Sequence, residues 1–384
     1  MSFRKTIFWM HLIAGVIAGI VILIMCVTGV ALTYEKSMIA WSERDARRIE
    51  TPEPGTEQMP VEALLKIAGE TESDANPSGL IFYSKPDSAV AISYGRSGAV
   101  YANPYTGEVR ASEATTMRSF MRTMVSWHRW IALSGDSRSL GKAITGACNF
   151  AFLFLAVSGI YLWWPRKWTM NALKAILLFN ASLKGKARDW NWHNVIGIWS
   201  ALILAVLTAT ALPISYGWAG DLIYTLTGTE QPAGGSRRGQ AGPPVEVPTP
   251  PAGANQLSQS ALLAAVQSEF PDWKEITLRI PGGRGNRGGG TTAASFSIKE
   301  KTSWPRTGTT TVSLDPFTGS ILSQSGFGDQ DAARQVRGWT RFLHTGEALG
   351  FVGQTLAGLA SLGGAFLVWT GLALSWRRFF GKKA

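Results

Sequence analysis

Cysteine is nearly missing from this chain: its 384 residues hold two, Cys26 and Cys148, both inside long apolar runs. Two thiols cannot build a disulfide framework, and a cysteine-held cluster would need four. Charge is missing from the same places. The runs 7–33, 143–164, 194–218 and 350–375 hold no Asp, Glu, Lys or Arg. No nucleophile–base triad and no phosphate-cradling loop can be read, so hydrolytic and phosphoryl-transfer chemistry have no candidate centre. Histidine occurs four times in all.

What is present is apolar length. Each of the four runs is about as long as the roughly 20 apolar residues a spanning helix needs, which makes the chain an integral membrane protein. Sixteen Trp are present, and Trp9, Trp163, Trp164, Trp168, Trp190, Trp192 and Trp376 sit at the ends of runs, as an interfacial aromatic belt requires. The net charge of +11 could suggest a nucleic-acid partner, but its placement argues against one. Arg4 and Lys5 precede the first run. Arg166, Lys167, Lys174, Lys184, Lys186 and Arg188, against the single acid Asp189, fill the connection 165–192. Arg377, Arg378, Lys382 and Lys383 end the chain. By the positive-inside rule these stretches face the cytoplasm, with both termini inside and both long connections outside. The first run is longer than a secretory h-region and shows no A-x-A-like site, so it reads as an uncleaved helix.

The chain also reads as two similar halves. With His11 laid on His193, Gly15 falls on Gly197, Thr28 on Thr210 and Tyr34 on Tyr216 without a gap. The returning runs match as SGIYLWWPRKW (158–168) and TGLALSWRRFF (370–380), with Gly159 on Gly371 and Trp164 on Trp376. Outside the runs, VYANPYTGEVRAS (100–112) matches VSLDPFTGSILSQ (312–324). Asx-Pro-aromatic-Thr-Gly between β-prone stretches signals a hairpin. Helix candidates precede each hairpin, at 61–70 and 259–270. One small α+β domain per half is therefore expected. Residues 231–255, with six Pro and five Gly, and the Gly-rich 282–290 are expected to be outside loops, and Arg237, Arg238, Arg284 and Arg287 in them to be solvated.

The division that follows is a spanning helix over 1–34, an outside domain with the His128 helix over 35–138, and a second spanning helix over 139–165. A basic connection over 166–192 leads to a third spanning helix over 193–218. A second outside domain over 219–345, a fourth spanning helix over 346–376 and a basic tail over 377–384 complete it.

All four histidines fall at run edges. An imidazole in lipid is costly without a partner. His11 and His193 head runs that leave the same face, so they share a depth near the cytoplasmic edge. His128 lies on the apolar face of MRSFMRTMVSWHRWIAL (117–133), which has apolar residues at helical spacing. His344 lies beside the apolar face of ARQVRGWTRFLHTGEAL (333–349). Both precede returning runs and belong at the outer face. A core roughly 30 Å thick keeps the two levels apart, so the expected pairs are His11 with His193 and His128 with His344. Zinc or copper would need three or four ligands, with Cys, Asp or Glu filling out the set, and no such residues accompany these histidines in the spans. Haem brings four nitrogens of its own and needs one or two histidines. No CxxCH occurs, so two non-covalent b-type haems are expected, one near each face. Arg122, Arg129 and Arg341 lie near the outer pair and are candidates to hold haem propionates.

Four spans with two outside helix-plus-hairpin domains, bearing NPYTG and DPFTG, resemble the PepSY-associated transmembrane proteins. Within that family the order and placement of the four histidines are similar to the di-haem reductases of ferric siderophores such as ferrioxamine. The resemblance implies an α+β protein of the bacterial inner membrane with four transmembrane helices and two periplasmic PepSY-like domains, internally duplicated. It implies haem ligation by His11, His128, His193 and His344. It also implies reduction of periplasmic Fe(III)-siderophore with electrons from quinol or a cytoplasmic donor. Membrane lipid is then a partner, and nucleic acid is not. The rival expectations are a PepSY-domain regulator that binds a peptide or protease, and a haem or siderophore transporter without redox turnover.

Overall fold

The computed structural model describes residues 2–71, 76–95, 98–165, 168–231, 245–250, 253–280 and 292–381. Arg237, Arg238, Arg284 and Arg287, with most of the two Gly- and Pro-rich loops, lie outside the described residues, as do Arg166, Lys167, Lys382 and Lys383.

The first half runs α1 (Phe3–Leu32), α2 (Glu35–Ser42), α3 (Arg44–Arg47), α4 (Val61–Thr71), β1 (Gly79–Tyr83), β2 (Val90–Ser93), β3 (Ala99–Ala102), β4 (Val109–Ala111), α5 (Thr115–Trp130) and α6 (Arg138–Trp163). After α7 (Met170–Leu177) the second half runs α8 (Gly185–Ser215), α9 (Gly217–Thr227), α10 (Gln259–Glu269), β5 (Trp273–Arg279), β6 (Ala294–Glu300), β7 (Thr310–Leu314), β8 (Ile321–Ser325), α11 (Ala332–His344) and α12 (Gly350–Phe379). Two compact units result. One is Met1–Glu35, Arg118–Glu230 and Ala332–Ala384, and the other is Lys36–Met117 and Gln231–Asp331.

In the first unit four helical stretches are long and apolar enough to cross a membrane: Phe3–Leu32, Gly135–Trp163, Gly185–Ser215 and Glu347–Phe379. They pack in a ring, α1 on α6, α6 on α8, α8 on α12 and α12 on α1, so α1 and α8 stand on one diagonal. Ala18, Ile22, Cys26, Phe152, Ala156, Leu204 and Ala360 fill its centre. The third span starts at Gly185 rather than 193. Its first turns are polar, but their side chains are consumed. Buried Asp189 accepts from Arg188 of its own helix and from Arg377 of α12. Asn191 donates to the Ala175 and Leu178 carbonyls and ties α7 to α8. A buried carboxylate needs such partners to stay charged.

The other unit is a single eight-stranded antiparallel sheet in the order β4-β3-β2-β1-β5-β6-β7-β8. The sequence suggests one α+β domain per half; here β1 pairs with β5, centred on Ile81 opposite Thr277, and joins both halves in one sheet. Alternate residues turn inward, with Phe296 and Ile298 of β6 and Val312 and Leu314 of β7 buried. They pack with Leu64 and Ala68 of α4 and Leu262 and Val266 of α10. The two Asx-Pro-aromatic-Thr-Gly segments are turns of one design. Asn103 Oδ1 accepts from Tyr105 N–H at 2.9 Å, and Asp315 Oδ1 from Phe317 N–H at 2.8 Å. Gly107 and Gly319 take φ of 76° and 73°, where an L side chain is strained. The Pro104 and Pro316 carbonyls accept from Met59 and Leu257 N–H, both at 2.7 Å. Each turn thereby fixes the chain that enters α4 or α10.

Candidate functional site

The four histidines all belong to the helical unit, and the structure holds them at two levels. His11, on α1, places Nδ1 2.8 Å from Ser158 Oγ of α6. His193, on α8, places Nδ1 2.9 Å from Thr370 Oγ1 of α12. These two imidazoles stand on diagonal helices, close enough to interact electrostatically. His128, on α5, places Nδ1 3.0 Å from the Met25 carbonyl and 3.0 Å from Thr28 Oγ1, both on α1. His344, the last residue of α11, places Nδ1 2.9 Å from the Leu207 carbonyl of α8.

The acceptors decide the tautomer. A carbonyl can only accept, so His128 and His344 carry their proton on Nδ1. Thr370 gives its hydroxyl proton to the Phe366 carbonyl at 2.8 Å, which leaves its oxygen to accept from His193. Ser158 Oγ lies 2.8 Å from His11 and 3.4 Å from the Leu155 carbonyl, so either partner can donate there. In all four rings Nδ1 is the nitrogen engaged by the protein. An anchored N–H opposite a metal-binding nitrogen is the usual support of a ligating histidine.

Glycines lie against three of the rings. A Cβ at Gly159 would stand 3.6 Å from His11 Cε1, one at Gly371 3.5 Å from His193 Cε1, and one at Gly29 3.6 Å from His128 Cε1. The contacts repeat at positions that match between the halves: Ser158 with Thr370, Gly159 with Gly371, Met25 with Leu207. All four histidines are half-buried.

The His128 and His344 rings have centroids 6.3 Å apart and planes 55° apart. Two imidazoles on opposite sides of one metal, each with a nitrogen roughly 2 Å from it and a ring centre about 1 Å further back, have centroids roughly 6 Å apart. Burial, and then His344 beside it, pushes the His128 imidazole down to about 4, and burial also lowers His344. Both are neutral at pH 7, as ligands must be. Among the described residues, no group of three or more His, Cys, Asp or Glu is placed to hold a metal ion. Two nitrogen donors per level fit a metal that brings its own macrocycle and do not complete a zinc site.

Of the three arginines expected near the outer pair, Arg129 is placed there: its charge acts on both His128 and His344. Arg122 and Arg341 are exposed on α5 and α11. The sequence assigns no supporting role to Ser158, Thr370, Thr28 or the Met25 and Leu207 carbonyls. A signal for two of them was in view, since the matched returning runs open with Ser-Gly and Thr-Gly.

The spacing of the levels is also fixed. His11 and Met25 are fourteen residues apart on α1, and His193 and Leu207 are fourteen apart on α8. At 1.5 Å per residue that is about 21 Å along each axis, inside a hydrocarbon core of roughly 30 Å.

A family model described as the PepSY-associated TM region matches residues 8–378, a span that includes all four histidines. No curated protein matches the chain.

Proposed function

The chain belongs to the PepSY-associated TM family, and on that footing we propose that it is a di-haem oxidoreductase that carries electrons across the bacterial inner membrane to Fe(III)-siderophore. His11 and His193 would hold one b-type haem, and His128 and His344 the other. Bound there, haem supplies one-electron transfer. The observation that carries the reading is the common anchoring: each of the four rings has its Nδ1 held by a protein group, which leaves Nε2 as the nitrogen for metal.

The residues then have separate tasks. Ser158 and Thr370 hold the His11 and His193 rings in orientation. The Met25 and Leu207 carbonyls do the same for His128 and His344. The apolar plug of Ile22, Phe152 and Leu204 keeps water out of the bundle centre. Arg129 supplies positive charge beside the His128–His344 level, suited to a propionate. The basic ends of the spans support an orientation with the His11–His193 level at the cytoplasmic side, both termini inside and the sheet-forming connections in the periplasm. Electrons enter at that level from quinol or a cytoplasmic donor and leave at the His128–His344 level, where the ferric complex is reduced and its iron is released. The matched contacts of the two halves support an internal duplication.

The test is a visible spectrum of the purified protein and of four His→Ala variants. Two haems per chain with a b-type spectrum are expected. His11→Ala or His193→Ala should remove one haem, and His128→Ala or His344→Ala the other. Full haem content in all four variants overturns the assignment. A protein purified without a Soret band would instead favour a regulator that binds a peptide.

A further inference from the structure

We propose that Gly141 and Gly353 are positioning residues for the His128–His344 pair, a reading that rests on the haem assignment above. Trp130 follows His128 by two residues, and Gly346 follows His344 by two. The Trp130 carbonyl lies on Gly141, in the first turn of α6. A Cβ at Gly141 would overlap that oxygen and stand 2.9 Å from its carbon and 3.0 Å from the Trp130 Cα. The Gly346 carbonyl lies on Gly353, in the first turn of α12. A Cβ at Gly353 would overlap that oxygen and stand 2.9 Å from Leu349 Cβ. Gly346 itself has φ of 71°, and a Cβ there would stand 2.7 Å from the Gly353 carbonyl oxygen. In each half the carbonyl two residues after the histidine is thus seated on a glycine in the first turn of the returning span.

Two further observations tie the Gly141 seat to the ligand. Thr145, one turn after Gly141, donates its hydroxyl to the Arg129 carbonyl at 2.8 Å, next to His128. Beyond Trp130, Ile131 and Ala132 take φ of 50° and 57°. A β-branched residue in this left-handed region is an outlier, and such strain persists only where the surroundings over-determine it. Here Ile131 N–H donates to the Trp127 carbonyl, Ala132 N–H to that of Ser126 and Leu133 N–H to that of Trp130. The last turn of α5 is therefore held from three sides, and His128 stands in it. Ligating side chains need to sit within about 0.5 Å of their working geometry. A methyl group inserted under the Trp130 or Gly346 carbonyl displaces the turn by more than that.

The experiment uses the full-length protein with its haems, as Gly141→Ala, Gly353→Ala and the milder Thr145→Val. Haem content, the low-spin electron paramagnetic resonance signal and the potential of each haem are measured. Each variant should weaken haem retention at the His128–His344 level by about ten-fold or more, or shift that haem's signal and potential. The His11–His193 haem should stay as in the wild type, which also reports that the bundle has folded. An unchanged His128–His344 signal in both glycine variants overturns the proposal. Loss of both haems in all three variants overturns it too, since the glycines would then serve the whole bundle. Haem-free wild-type protein would sink the haem reading instead. The seat would then be judged by hydrogen exchange: faster exchange of the amides of residues 131–133 in Gly141→Ala supports it, and unchanged protection overturns it.

Discussion

A histidine is only as good a ligand as the group behind it. Thr370 is fully buried, and its hydroxyl both donates to a helix carbonyl and faces the imidazole of His193. Ser158 faces His11 in the same way, at 3.4 Å from its own helix carbonyl. Without such a partner, the Nδ1 of a buried ring is left unsatisfied and the ring can turn. Thr370→Val and Ser158→Ala should each weaken haem binding at the His11–His193 level by about 10- to 100-fold and leave the other level unchanged. A haem titration of the apo-protein measures both. At this scale the histidines were legible as candidates, because only four exist and each falls at a run edge, and His128 and His344 do come together. The supports were not. A Ser or Thr in a span more often bonds its own helix, and only the matched Ser-Gly and Thr-Gly pairs hint at a second task.

Among elements, the spans were plain from hydropathy, and their ends were not. A helix stops where its backbone groups find other partners rather than where lipid stops, so α8 continues through Asp189 and Asn191 to Gly185. Both hairpins were readable from Asx, Pro and Gly at fixed offsets. Their union in one sheet was not, because nothing within β1 or β5 specifies its neighbour across the join. Glu43 gave no signal either, although it is fully buried, with Arg47, Tyr101 and Ser112 on its carboxylate. The sheet's apolar face gathers on Phe296, which is completely buried on the interior strand β6. Phe296→Ala should cost about 3–5 kcal/mol, read as a lower unfolding midpoint of the sheet unit. The spectra of the two histidine levels should not change, since all four rings belong to the other unit.

Taken as a whole, the molecule repeats one scheme in two halves. A span leaves one face, contributes a histidine near its start and a carbonyl fourteen residues on, and the helix before the returning span places a second histidine on that carbonyl. Two levels about 21 Å apart along the bundle axis follow from this spacing. Between them lies packed apolar matter: Cys26, Phe152 and Leu204 close around Gly364, where a Cβ would stand 3.2 Å from Phe152 Cζ. On the proposed reading, electrons cross this packed centre while the ferric complex stays outside. Vesicles with the protein in one orientation separate the two levels. With reductant at the His11–His193 side and Fe(III)-siderophore on the other, wild-type protein should release Fe(II) outside. In His128→Ala the His11–His193 haem should still be reduced, with outside Fe(II) release lost. In His193→Ala the remaining haem should stay oxidised with this reductant, since its entry point is gone. Equal outside release by both variants and the wild type would leave the two levels without a role in crossing the membrane.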